Sequence, residues 1–326
     1  MADYIIYFDS GTSNTRIYLL DEKLKQVCMK KRPIGSKDSA AAGSNKVLLE
    51  NLKEMYDEVL AENGVSDCDV KRIFASGMLT TPYGIVEKPH VIIPVTVEQF
   101  AKNHPSVYEG NYFKREIELI PGLKTVGDEI SKVNNMRGEE IEIMGAMEYF
   151  PESCDGKSVA LVMPGSHTHT ALIRNKCVED ILSTFSGELF YALKKSTVIA
   201  PVLSAKVEHF DREQVLKGYD NLVKYGFNRA IYIVHAMRMF NEGTEAQRVS
   251  YAEGVIMGDI INALDQRCEE TWVDCETAVI VCTKEIYELF EILFTKSKRI
   301  KTLIWLPIDD QTSYAVEGLR QIIKNS

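Results

Sequence analysis

This 326-residue chain has no excess of positive charge, no CxxC pair and no long apolar run. Lys and Arg number 38 against 47 Asp and Glu, a formal net charge of −9. Such a surface is repelled by phosphate backbones and by anionic lipid headgroups, which argues against nucleic acid and membrane surfaces as partners. A small anionic substrate stays open, because a local basic pocket would suffice for it. The seven cysteines, at 28, 68, 154, 177, 268, 275 and 282, are odd in number and scattered. That pattern fits reduced thiols in a cytoplasmic protein, not a disulfide framework. No stretch approaches the roughly 18 to 20 apolar residues of a membrane span. No basic segment followed by an apolar one opens the chain, so no signal peptide is expected. Low-complexity tracts and long linkers are missing too.

What is present is ordinary globular composition, 45% hydrophobic and 26% charged, over a length that suggests two domains. Runs rich in β-branched and aromatic residues predict strands at "YIIYF", "TRIYLL", "RIFAS", "HVIIPV", "IELIPG", "VALVMPG", "HTALIRN", "AIYIV", "TAVIVC" and "TLIWLP". Apolar residues spaced by three and four predict helices between them. These are "NKVLLENLKEMYDEVLAEN", "GEEIEIMGAMEYF", "SGELFYALKKS", "REQVLKGYDNLVKYG", "QRVSYAEGVIMGDIINALDQR" and "TKEIYELFEILFTKS". Strands and helices alternate, so the fold class is α/β.

One internal echo organises the chain. "FDSGTSNTRIYLLD" lies over "VMPGSHTHTALIRN" with Gly11 on Gly165 and Thr12 on Ser166, offset by about half the chain. Each copy reads as a strand, a Gly-Ser/Thr turn and a second strand. Two similar domains are expected, residues 1–152 and 153–326, their turns facing across a central cleft, with "PESCDGKS" as the boundary. Such a turn offers backbone N–H groups and hydroxyls with no bulky side chain in the way, which suits phosphate. Gly11, Thr12, Ser13 and Asn14 form the first; Gly165, Ser166 and His167 form the second. Neither is a Walker loop, since GxxxxGK[ST] is missing, and neither is the dinucleotide GxGxxG. Asp9, ending the first strand, is placed to hold a hydrated Mg²⁺ beside ATP. The plain alternative is a polar hairpin that Asp9 caps.

These turns resemble those of the actin, hexokinase and Hsp70 superfamily. More specifically, "SGMLTTPYGIVEKPHVIIP", "IPGL", "NNMRGEEIEIMGA", "VMPGSHTH" and "TFSGELFYAL" are similar, in order, to the 2-keto-3-deoxygalactonate kinases. The resemblance runs from residue 9 to about 193 and is vaguer beyond, through "SYAEGVIMGDIINAL". It implies two ribonuclease-H-like (actin-like ATPase) domains, ATP and Mg²⁺ as cofactors, and phosphorylation of 2-keto-3-deoxygalactonate to its 6-phosphate in galactonate degradation. Departures from the family pattern fall at Asn135, at Thr80, Thr81 and Ile85, and at His169. They touch the expected sugar and phosphate pockets. Two alternatives stay open: a kinase of this fold acting on another sugar or small acid, and an ATP-binding regulator without phosphotransfer. Oligomeric state is open, a homodimer included.

The resemblance makes Glu139 the expected base, with Glu140 second; helix-dipole stabilisation alone also explains acids at a helix start. Adjacent helical positions point about 100° apart, so at most one of the pair is expected to face the site. Arg137, whose fork donates two parallel hydrogen bonds, is a candidate for the substrate carboxylate or the γ-phosphate. Gly77, Met78 and Thr80 are expected beneath the sugar. Ser186 and Gly187 open a helix whose N-terminus suits an anionic substrate, although Ser is also an ordinary cap. Gly254 and Gly258, four apart, form either a helix-packing face or a smooth wall for adenine. His167 and His169 share a strand face, but zinc prefers a four-coordinate set and no third ligand lies nearby.

Overall fold

The computed structural model describes residues 3–309 and 312–326. They divide into two compact units, residues 1–149 with 313–326, and residues 150–312.

The first unit begins with an antiparallel meander of β1 (Tyr4–Ser10), β2 (Thr15–Leu20) and β3 (Gln26–Arg32). Helices α1 (Ser36–Ala42) and α2 (Lys46–Asn63) follow, then β4 (Val70–Gly77), parallel to β1. Two short strands, β5 (Val91–Ile92) and β6 (Val95–Thr96), lead to α3 (Val97–Ala101). Next come β7 (Ser106–Glu109), β8 (Arg115–Leu119), β9 (Leu123–Lys124), β10 (Asn135–Met136) and α4 (Glu139–Ala146). The main sheet has the order β3-β2-β1-β4-β8-β7; β10-β9-β5 forms a small second sheet.

Strand alternation sorts the side chains of β1 and β2 between two faces. Ile6, Phe8, Ile17 and Leu19 join one apolar cluster with Leu48, Leu52, Met55 and Tyr56 of α2. Tyr7, Asp9, Arg16 and Tyr18 therefore point to the opposite face.

In the second unit β11 (Val159–Met163), β12 (His167–Arg174) and β13 (Cys177–Phe185) form another antiparallel meander. Six helices follow: α5 (Gly187–Ser196), α6 (Ala200–Leu203), α7 (Arg212–Tyr225), α8 (Phe227–Met239), α9 (Glu245–Ile256) and α10 (Gly258–Glu270). Then come β14 (Thr277–Cys282), α11 (Lys284–Phe294) and β15 (Thr302–Pro307). Within this unit the sheet runs β15-β14-β11-β12-β13, with β14 parallel to β11. The order matches β8-β4-β1-β2-β3 of the first unit, a meander extended on one side by parallel strands. Each unit is the expected ribonuclease-H-like α/β sheet.

Three expectations change. "AIYIV" is not a strand but lies inside α8, because Ala230, Val234 and Met237 recur at helical spacing and are buried together. "QRVSYAEGVIMGDIINALDQR" is two helices, α9 and α10, meeting at Met257. Residues 313–326, assigned by the sequence to the second domain, belong to the first unit. There α12 (Tyr314–Asn325) packs on α4, so closely that a Cβ on Gly318 would stand 1.8 Å from the Ile141 carbonyl. An amphipathic terminal helix with Tyr314, Val316, Leu319 and Ile322 buried needs an apolar partner, and α4 supplies it.

Candidate functional site

The first unit gathers its charged groups where β1 ends and α4 begins. A four-residue turn, Gly11–Asn14, closes the β1–β2 hairpin, and its register sets Asp9 opposite Arg16. Both lie on the face away from α2, and Arg16 Nη1 donates to Asp9 Oδ2 at 2.8 Å. Burial raises the Asp9 carboxyl, and Arg16 opposes that rise. Arg16 holds its proton more tightly than an ordinary Arg: burial works against its charge, but Asp9, Tyr18 and Glu142 together outweigh it.

Two further acids crowd the same place. Glu139 and Glu142, three apart on the first turn of α4, share a helix face. Burial pushes Glu139 up to about 7, with the Asp9 charge adding to it. Burial and the charges of Asp9 and Glu139 push Glu142 up to about 8, against the pull of Arg16. Asp9 and Glu142 thus feel the Arg16 charge, and Glu139 feels that of Asp9; with all three carboxyls ionised, one guanidinium would not balance them, and a cation would relieve the difference. Glu140 is different. It is 0% exposed, and its Oε2 accepts from Gly138 N at 2.6 Å. Of the two adjacent acids in "RGEE", Glu139 joins the cluster and Glu140 turns into the core.

The Gly11–Asn14 turn is braced from below. Gly11 N donates to Asn14 O at 2.8 Å, while Ser36 N and Lys37 N, at the head of α1, donate to the Gly11 and Thr12 carbonyls. With its carbonyls engaged, the turn presents the opposite edge of its backbone outward, and Gly11, Thr12 and Asn14 are exposed. The second unit repeats the arrangement. Glu188 N, in the first turn of α5, donates to Ser166 O at 2.8 Å. A Cβ on Gly187 would stand 2.3 Å from Gly165 O, just as one on Gly35 would stand 2.5 Å from Gly11 O. The echo of Gly11 in Gly165 therefore extends to the helix packed beneath each turn.

Several expected binding residues have structural partners instead. Arg137 donates through Nη1 to Thr80 O at 2.8 Å and to Thr80 Oγ1, and through Nη2 to Lys88 O at 3.0 Å and to His90. Its fork is a latch for the 78–90 segment, not a free grip for a carboxylate. Thr80 is buried, and its hydroxyl also donates to Gly77 O at 3.0 Å; Met78 precedes it in the same short turn. Gly77 has φ 67 and abuts the backbone of Ser10 and Gly138. Ser186 is buried and bonded to Thr168, and Gly187 packs on the Gly165 turn, so this helix start serves its own unit first.

Gly254 and Gly258 are packing positions. A Cβ on Gly254 would stand 2.0 Å from Val215 O of α7, and one on Gly258 2.9 Å from the Tyr219 ring. Of the two expected readings, this close approach supports the helix-packing face. His167 lies 3.2 Å from Glu188, and His169 is held by Ser183 at 2.9 Å. Burial, with His167 nearby, lowers His169 to about 4, so it is a neutral imidazole at neutral pH. Among the described residues no group of three His, Cys, Asp or Glu side chains is arranged to hold a metal ion. None of the seven cysteines, all among the described residues, forms a disulfide. No helix among the described residues is long and apolar enough to cross a membrane.

Arg16 and Glu142 are absent from the residues singled out in the sequence. Both had a signal: a four-residue hairpin turn puts Asp9 opposite Arg16, and a helix starting at Glu139 puts Glu142 on its face.

The profile of the 2-keto-3-deoxy-galactonokinase family matches residues 9–320. A Rhizobium meliloti (strain 1021) protein named as a 2-dehydro-3-deoxygalactonokinase is 25% identical over 199 residues, which cover 61% of this chain and 59% of that relative. Among solved structures, a protein named as a 2-dehydro-3-deoxygalactonokinase from Sinorhizobium meliloti superposes with a TM-score of 0.74 at 20% identity. That match covers 98% of this chain and 97% of the other, and it shows the shared fold. A reductive activator for a corrinoid, iron-sulfur protein matches with a TM-score of 0.51 at 11% identity, over 98% of this chain and 60% of its own.

Proposed function

The chain belongs to the 2-keto-3-deoxy-galactonokinase family, and from that premise we propose that it transfers the γ-phosphoryl group of ATP to 2-keto-3-deoxygalactonate, giving ADP and the 6-phosphate. The observation that carries the residue assignment is the Asp9–Arg16 pair with Glu139 and Glu142 coupled to Asp9, beside the braced turn Gly11–Asn14.

Phosphoryl transfer asks a protein for alignment and charge neutralisation more than for covalent chemistry. In the first unit, the outward backbone edge of Gly11–Asn14 suits phosphate oxygens. In the second, the Gly165–Ser166 turn, braced the same way, offers the same kind of surface. Glu139 is the base. A carboxyl near pH 7 loses its proton readily at neutral pH and still accepts one from a sugar hydroxyl in the transition state. Glu142 and Arg16 set the field around it.

Mg²⁺ fits this donor set. The ion keeps several waters and needs only one or two protein carboxylates, and Asp9 offers a hard oxygen ligand, with Glu139 and Glu142 nearby able to ionise when a cation is bound. When bound it would neutralise phosphate oxygens. Arg16 must then share Asp9 with the ion or yield to it. Cysteines that form no disulfide fit a cytoplasmic enzyme.

The test is ADP release from Mg-ATP over a panel of keto-deoxy, aldonic and neutral sugars, with Asp9→Asn beside wild type. Turnover confined to 2-keto-3-deoxygalactonate and lost in Asp9→Asn supports the reading. Turnover on a different sugar discards the substrate and keeps the mechanism. The engaged fork of Arg137 favours that second reading, because it leaves the substrate carboxylate to some other cation. Thermal stabilisation by Mg-ATP without turnover on any sugar would leave a nucleotide-binding regulator.

A further inference from the structure

Glu140 has no evident reason to be an acid. It is 0% exposed. One carboxyl oxygen, Oε1, is buried and has no partner among the described residues. Burial, with the neighbouring Glu139 charge, raises its carboxyl well above the usual range, so it is held as the neutral acid. A core position of this kind would ordinarily be apolar, since a half-satisfied buried polar group costs stability.

The other oxygen explains its presence. Oε2 accepts from Gly138 N at 2.6 Å, the N–H at the very start of α4. Gly138 has φ 111, a conformation that residues with a side chain rarely adopt and that glycine takes freely. It also lies in a close backbone stack. A Cβ on Gly138 would meet the Gly77 Cα at 3.5 Å, and one on Gly77 would stand 2.4 Å from Ser10 O. Ser10 adjoins Asp9, and Gly138 adjoins Glu139. The stack Ser10–Gly77–Gly138 thus joins the backbone next to each carboxylate, and Glu140 ties down its far end.

We infer that Glu140 is a positioning residue: by holding the Gly138 N–H it fixes the Gly138–Gly77–Ser10 contact and so sets the Glu139 carboxylate relative to Asp9 for phosphoryl transfer. This rests on the kinase reading above. It reassigns the second acid of "RGEE" from chemistry to geometry. An amide does the same task, since a Gln carbonyl accepts the same N–H; Leu fills the space but accepts nothing.

The experiment pairs Glu140→Leu with Glu140→Gln in the full chain. Misplacing a catalytic group by a fraction of an ångström costs on the order of 10- to 100-fold, and that loss is expected in kcat for Glu140→Leu. Both KM values should stay within about threefold, because ground-state binding is not what Glu140 supports. Glu140→Gln should restore kcat to within about threefold of wild type. Equal loss in Gln and Leu would mean that the acid itself does chemistry and would overturn the inference; so would an unchanged kcat in Glu140→Leu. Amide hydrogen exchange at Gly138 and Glu139 provides a readout independent of turnover: faster in Glu140→Leu, unchanged in Glu140→Gln. Unchanged exchange in Glu140→Leu also refutes the strut. If Glu140→Leu does not fold, Gly77→Ala strains the same contact from the other side and should show the same kcat loss. If wild type turns over no sugar, the kinase reading fails, and the exchange measurement alone decides whether the strut exists.

Discussion

A carboxylate can be found by motif, but its ionisation is set by neighbours. Asp9 and Glu139 are readable in "FDSGTSN" and "RGEE"; what they experience is not, because Arg16 and Glu142 reach them only through hairpin register and helix phase. The consequence for pH can be signed. Glu142 rises from an ordinary value to about 8 in the folded protein, so the folded state holds its proton more tightly than the unfolded chain does. Its contribution to stability is fully present below about pH 4.5 and is lost as pH rises through about 8. Glu142→Gln should therefore stabilise the protein at pH 9, by on the order of 1 kcal/mol, and do little at pH 4.5. Urea denaturation at the two pH values checks this, and equal effects at both would refute it. Catalysis has the opposite sign. If Glu139 takes the hydroxyl proton, kcat/KM falls as pH drops below about 7, and Glu139→Gln removes that limb together with most of the rate. An acid limb that survives Glu139→Gln would move the base elsewhere.

At the scale of elements, helical periodicity is more legible in the sequence than what each helix face meets. The four-residue spacing of Gly254 and Gly258 is visible in "YAEGVIMGD", and it serves equally for a ligand wall or a helix contact. The choice depends on α7, whose Gly218 approaches Tyr251 O as closely as Gly254 approaches Val215 O. Two backbones at that distance leave no room for a methyl group. Gly254→Ala should therefore cost about 1–3 kcal/mol of stability, with the KM for ATP unchanged. Loss of ATP affinity at unchanged stability would restore the nucleotide role. The misassigned "AIYIV" has the same origin. Its β-branched residues suggest a strand in isolation, but inside "FNRAIYIVHAMRM" the burial of Ala230, Val234 and Met237 makes one helical stripe.

The whole molecule is two sheets of one strand order, and the chain closes the first unit only with its last helix. The internal echo makes two domains legible, because a strand–turn–strand pattern recurs locally. It does not reveal where the final 14 residues go, since any amphipathic helix can cover any apolar face. Here α12 buries Tyr314, Val316, Leu319 and Ile322 against the first unit. Its Arg320 donates to Leu24 O at 3.0 Å, and Tyr314 packs edge-on against Tyr149 at 5.3 Å. At ~1.5–3 kcal/mol per buried apolar side chain, those four account for roughly 6–12 kcal/mol of gross burial. That is comparable to the entire net stability of a typical domain. The second unit is continuous in sequence, residues 150–312. A chain of residues 150–312 alone should unfold cooperatively on heating, whereas residues 1–149 alone should not, until a peptide of residues 313–326 is added. Calorimetry of the two fragments, with and without the peptide, decides it. A cooperative transition of 1–149 without the peptide would show that α12 decorates the first unit, and no transition for 150–312 would show that the second unit depends on the first to fold.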